Sequence, residues 1–112
     1  LDFGHAVVEG GVTDAREGRS AGGLEAGLAR LRDYQASLTR VIHLHLHDND
    51  GTADLHRPIG RGGLDYAASR DYLLAFTGTA CLEIGGDATG VRESVANLRA
   101  LLAGEREGTP AA

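Results

Sequence analysis

Two hydrophobic periods divide this chain. From about Gly23 to Ser37, the leucines Leu24, Leu28, Leu31 and Leu38 recur at the spacing of one helical face. Residues 40–46 instead alternate aliphatic and histidine side chains, the period of a strand. Residues 47–64, with Pro58 and several glycines, read as a long loop. Asp65 stands where it can cap a helix running to about Phe76. Thr79 to Ile84 is a second short apolar strand, and 85–90 a loop with Thr89 as candidate cap. Val91, Val95, Leu98 and Leu102 stripe a final helix that ends near Ala103. At the other end, residues 1–3 read as the end of a strand and the polar, Gly-rich residues 8–20 as a loop. Residues 104–112 form a flexible polar tail containing Pro110.

The resulting order is strand end, helix, strand, helix, strand, helix. That alternation predicts parallel strands joined by crossover helices. An eight-stranded βα barrel takes roughly 250 residues, so about three βα units fit here. The expected fold class is α/β: the C-terminal portion of a (β/α)8 TIM barrel over residues 1–103, followed by the 104–112 tail. Such a portion would leave sheet edges open. It is therefore expected to be a C-terminal fragment or to need a partner, with a homo-oligomer as one option. The opening Leu-Asp-Phe-Gly and the absence of Met predict a missing N-terminal part.

Composition narrows the partners. A net charge of −5 argues against a sequence-independent grip on nucleic acid, which needs a basic face, but leaves room for a small phosphorylated ligand. No apolar run is long enough to span a membrane and no signal peptide is visible, so no membrane partner is expected. The single Cys81 excludes an internal disulfide and fits a reducing, cytoplasmic compartment. Within Thr79-Ala-Cys-Leu-Glu-Ile it reads as a small buried hydrophobe. The 17 glycines concentrate at 10–11, 22–23, 60–63 and 85–86, suggesting turns beside strand ends.

The chemistry lies in the histidines. Four of the five fall between His43 and His56, and the fifth, His5, follows Asp2 by three residues. His43, His45 and His47 share one strand face, roughly 6–7 Å apart, too far for all three to hold one ion. The one at the strand end is the candidate ligand; the others stack below it or support it. Asp48, Asp50, Asp54 and His56 follow in the loop, and Glu83 closes the last strand. Imidazole with carboxylate is the donor set of divalent transition metals. Gly60-Arg-Gly-Gly63 could steer a tight turn, the commoner explanation, or offer amides to an anion.

The segments LDFGHA, HLHDNDGTADLHRPIGRGGLDY and CLEI resemble the C-terminal part of the xylose isomerase-like TIM barrel superfamily. That superfamily includes sugar phosphate isomerases and epimerases and the endonuclease IV type of AP endonuclease (AP endonuclease family 2). The resemblance covers about residues 1–103 and is most specific from His45 to Asp65. It implies that Asp2, His45 and Glu83 are ligands of a divalent ion (Mn²⁺, Zn²⁺, Co²⁺ or Mg²⁺). Asp54 and His56 match an Asp-x-His that helps bind a metal in the endonucleases, although this chain has Leu55 where they have arginine. His5 matches a second-metal ligand in the endonucleases and a substrate contact in the isomerases.

The implied activity is a divalent-metal-dependent sugar or sugar phosphate isomerase or epimerase, acting by proton transfer through an enediolate. Glu83 would serve as ligand and proton-transfer group, with His5 or His56 orienting a hydroxyl. Arg57 and Arg61 would hold a terminal hydroxyl or phosphate, or else be solvated loop charges. One alternative is an AP endonuclease, which the acidic balance and Leu55 disfavour. Another is a non-catalytic truncated half barrel that binds metal, and a fragment alone is expected to be inactive.

Overall fold

A computed structural model describes residues 1–16 and 23–104 of the chain. Its elements are α1 (Phe3–Arg16), α2 (Gly23–Ser37), β1 (His43–Leu46), α3 (Arg70–Ala75), β2 (Thr79–Leu82) and α4 (Ala88–Leu102). The strands run parallel, with His43 opposite Thr79 and Leu46 opposite Leu82. On the other flank of β1, the Leu1 ammonium donates to the His43 carbonyl at 2.9 Å and the His45 N–H to the Leu1 carbonyl at 3.0 Å. Asp2 there forms a parallel bridge with His45. The parallel direction brings the ends of all three segments to one edge of the sheet.

The expected barrel portion does not form. The described residues hold four helices and one sheet of only two strands. Two helices, α1 and α2, come first with no strand assigned between them in the described residues, and the first expected strand end shrinks to the bridge at Asp2. Much of the supposed loop at 8–20 is helix as far as Arg16; residues 17–20 lie outside the described part, as does the tail beyond Gly104.

Its glycines give α1 the appearance of a loop in sequence. Phe3, Ala6, Val7 and Gly10 are buried at helical spacing. A Cβ on Gly10 would lie 2.7 Å from Arg30 Cβ and 2.9 Å from Gly27 Cα, and one on Gly27 would strike the Val7 carbonyl. These glycines let α1 and α2 cross closely. Each weakens its own helix by about 1 kcal/mol, a cost that helix-on-helix burial offsets.

The remaining elements fall near their expected places. α2 spans Gly23–Ser37, as its leucine spacing predicts. Asp65 accepts the Ala68 N–H at 3.1 Å, but this closes a turn, and α3 begins only at Arg70. Asp87, not Thr89, caps α4: its carboxylate accepts the Thr89 N–H at 2.9 Å. Leu44 and Leu46 join Phe3, Val7, Leu31, Ile59, Leu64 and Tyr66 in the core. Ile42, of the same parity but ahead of the strand, is 76% exposed. Cys81 is exposed too, because β2 is an edge strand whose Thr79 and Ala80 also face solvent; it is not the buried hydrophobe expected.

A buried carboxylate organises the loop after β1. Asp48 accepts N–H groups from Asn49 at 2.9 Å, and from Gly60 and Leu64 at 3.0 Å. Its backbone exchanges two 2.9 Å hydrogen bonds with Arg57. The Gly60–Gly63 run therefore wraps an internal anion, in line with the turn reading. The Tyr66 hydroxyl donates to the His47 carbonyl at 2.7 Å, and burial raises that phenol well above its ordinary range. No described helix is long and apolar enough to cross a membrane.

Candidate metal centre

The carboxyl ends of parallel strands are where α/β sheets expose chemistry, because the chain there turns out into loops. Here that edge gathers Asp2, His45, His47 and Glu83, with His5 from the first turn of α1 and Asp54 and His56 from the long loop.

Asp2, His45 and Glu83 present ligand atoms that all lie within 4.8 Å of one another. His45 Nδ1 is 2.8 Å from Glu83 Oε1 and 3.6 Å from Asp2 Oδ2. One imidazole nitrogen thus faces two carboxylates. Donors around a tetrahedral ion with bonds near 2.1 Å stand about 3.4 Å apart, so small side-chain shifts would let these three share a divalent cation. The donor set fits zinc-like or manganese-like ions, and three protein ligands leave coordination positions for a substrate.

A second group lies alongside. His5, His47, Asp54 and His56 also place ligand atoms within 4.8 Å of one another. His5 Nε2 is 2.9 Å from Asp54 Oδ2, and His56 Nε2 is 2.9 Å from Asp54 Oδ1. His5 Nδ1 is 3.0 Å from Asp2 Oδ2, which joins the two groups into one network. The His47 and His56 rings stack in parallel with centroids 4.0 Å apart.

The electrostatics follow from these contacts. Burial alone would push the Asp2 carboxyl up; hydrogen bonds from His47 and the His5 backbone, with attraction from both histidines, outweigh it and bring Asp2 down to about 2. Asp54 is likewise lowered, burial being outweighed by His5 and His56. His56 is raised, first because its ring donates to the Glu83 carbonyl at 2.7 Å and then, against burial, because Asp54 attracts its charge. That bond fixes a hydrogen on Nδ1, and the 2.9 Å contact of Nε2 with Asp54 Oδ1, which can only accept, needs a second hydrogen there. His56 sits at φ 49°, a left-handed conformation that costs a non-glycine residue roughly 1–3 kcal/mol.

The site residues read from the sequence thus divide. Asp2, His5, His45, Asp54, His56 and Glu83 come together. Arg61 is engaged elsewhere, its guanidinium bound to both carboxylate oxygens of Glu93 on α4 at 2.7–3.1 Å. Arg57 is exposed and joins the loop through its backbone. Sequence reasoning gave His47 only a general supporting role; its place on the His43-His45-His47 face, one residue beyond the strand, was the available signal. No protein-family model, curated protein or solved structure matches the chain.

Proposed function

We propose that this chain carries the metal centre of a sugar or sugar phosphate isomerase or epimerase. The observation that supports it is the convergence of Asp2, His45 and Glu83, three ligands drawn from three segments at one sheet edge. The sequence resemblance supplies the reaction class. Asp2, His45 and Glu83 would hold the ion, which when bound supplies Lewis acidity toward a sugar carbonyl.

The remaining work belongs to the protein's own groups. Glu83 moves a proton at the carbon beside the carbonyl, where a carboxylate held at hydrogen-bond range can act as base. His56, its Nδ1–H fixed on the Glu83 carbonyl, turns Nε2 toward the site and orients a sugar hydroxyl together with His5. Arg57, exposed on the loop, is the remaining candidate for a terminal hydroxyl or phosphate, since Arg61 is paired with Glu93.

The test is proton exchange. The chain is incubated with Mn²⁺ and a panel of aldoses, ketoses and their phosphates in D2O, followed by NMR. The expected result is deuterium at the carbon beside the carbonyl of at least one sugar, abolished in Glu83→Gln; this departs from the inactivity expected of a barrel fragment, because all three ligands lie within this chain. One observation favours a second reading, AP endonuclease activity: His5, Asp54 and His56 also converge, as a multi-metal phosphodiesterase would require. Cleavage of an abasic-site duplex without any sugar exchange would select it, and neither activity would overturn both.

A further inference from the structure

His47 is the one histidine of the network with no exposed surface. It lies one residue beyond β1, packed so tightly on Gly4 that a Cβ there would collide with its ring. The His56 ring stacks on it at 4.0 Å, and the edge of His5 meets it at 5.2 Å. Its Nε2 is 2.8 Å from Asp2 Oδ1, and its Nδ1 is buried with no hydrogen-bond partner among the described residues. An ionised carboxylate has no hydrogen to give, so the shared hydrogen sits on His47 Nε2.

The two oxygens of Asp2 are therefore not equivalent. Oδ1 accepts two N–H groups, from His47 Nε2 and from the His5 backbone, each at 2.8 Å. Oδ2 is the oxygen on the His5 and His45 side, 3.0 and 3.6 Å from their Nδ1 atoms. A carboxylate whose inner oxygen is saturated can rotate only by breaking both bonds. We infer that His47 is a positioning residue: it locks Asp2 through Oδ1 so that Oδ2 is held as the metal-binding oxygen beside His45 and Glu83. The role rests on the metal-centre reading above. The lock is built from a donor with a fixed tautomer on a ring that burial and stacking keep from turning. Partners of this kind typically change metal affinity by about 10–100-fold when removed.

The experiment is a Co²⁺ titration of the whole chain, read by visible absorbance, on wild type, His47→Leu and His47→Gln. His47→Leu keeps bulk and loses the donor; the expected result is a 10- to 100-fold weaker Co²⁺ affinity with an altered d–d spectrum. His47→Gln retains an N–H donor and is expected to recover most of the loss. Equal losses in both variants would assign the effect to ring packing and overturn the lock. Unchanged affinity in His47→Leu would overturn it too, while leaving the metal centre standing. No Co²⁺ binding by wild type would overturn the metal centre itself, and the lock with it. Should His47→Leu fail to fold, ¹⁵N NMR of wild-type imidazoles decides: hydrogen on Nε2 of His47 is expected, and hydrogen on Nδ1 overturns the proposal.

Discussion

The two ends of this molecule are built to different standards. Among the described residues, every apolar residue of the buried core lies between Phe3 and Tyr66. Residues 70–104 contribute no fully buried apolar side chain: α3 has no buried residue, β2 is largely exposed and α4 buries only Ser94. The proposed centre straddles this divide. Asp2, His5, His45, His47, Asp54 and His56 ride on the packed part, while Glu83 comes from the lightly packed one. Its place is set by hydrogen bonds across the boundary: Glu83 N–H to the Leu46 carbonyl at 3.1 Å, the Glu83 carbonyl to His56 at 2.7 Å, and Gly85 N–H to the His56 carbonyl at 2.9 Å. Packing can hold most of a site rigid while a hydrogen-bonded ladder delivers the last ligand.

The largest effect is expected at the hub of the packed part. Asp48→Leu strands the buried N–H groups of Asn49 and Leu64, each worth about 1–3 kcal/mol, and the part-buried one of Gly60. Urea unfolding should register a loss of about 3 kcal/mol or more, and a loss below about 1 kcal/mol would mean that the loop is not organised around Asp48.

Gly27→Ala comes next and has a decisive sign. Helix propensity alone would stabilise the variant by about 1 kcal/mol. The collision with the Val7 carbonyl predicts instead a loss of about 1–3 kcal/mol. A stabilised Gly27→Ala would remove the close α1–α2 crossing from the account.

Asp2 gives a pH signature. Its carboxyl lies below its ordinary 3.8, at about 2, so the folded form binds the proton less tightly than the unfolded chain does. The resulting stabilisation, about 1–2 kcal/mol, is complete above pH 3.8 and is lost as the pH falls toward 2. In metal-free protein, the stability gap between wild type and Asp2→Asn should close over that window; a gap that is flat down to pH 2 would deny the Asp2 hydrogen bonds their energetic role.

The smallest effect belongs to the lightly packed part. Cys81→Ser should change stability by less than about 0.5 kcal/mol, and Cys81 in the native protein should react with a thiol reagent as fast as in unfolded chain. Slow labelling would show that β2 is covered.

The legible features were those with local signatures. Leucine spacing gave α2, alternation gave β1, and histidines and acids at strand ends marked a candidate rim, within which the family resemblance singled out Asp2, His45 and Glu83. What was not legible depended on neighbours distant in sequence. Gly10 and Gly11 look like loop residues until Gly27 and Gly23 are placed against them. The three-unit count rested on taking Leu1–Phe3 as a strand, where one bridge at Asp2 forms. Asp48 has the same local character as Asp54, yet turns inward because the Gly60 and Leu64 amides meet it there. Cys81 looks buried from its apolar run, but β2 is the edge of a two-stranded sheet and leaves it exposed.

Asp2, His45 and Glu83 are proposed to share one divalent ion, and anomalous diffraction from crystals grown with Mn²⁺ decides it. A single strong peak bounded by Asp2 Oδ2, His45 Nδ1 and the Glu83 carboxylate is the predicted result. A fully occupied peak elsewhere, with those three groups still paired to one another, would contradict it.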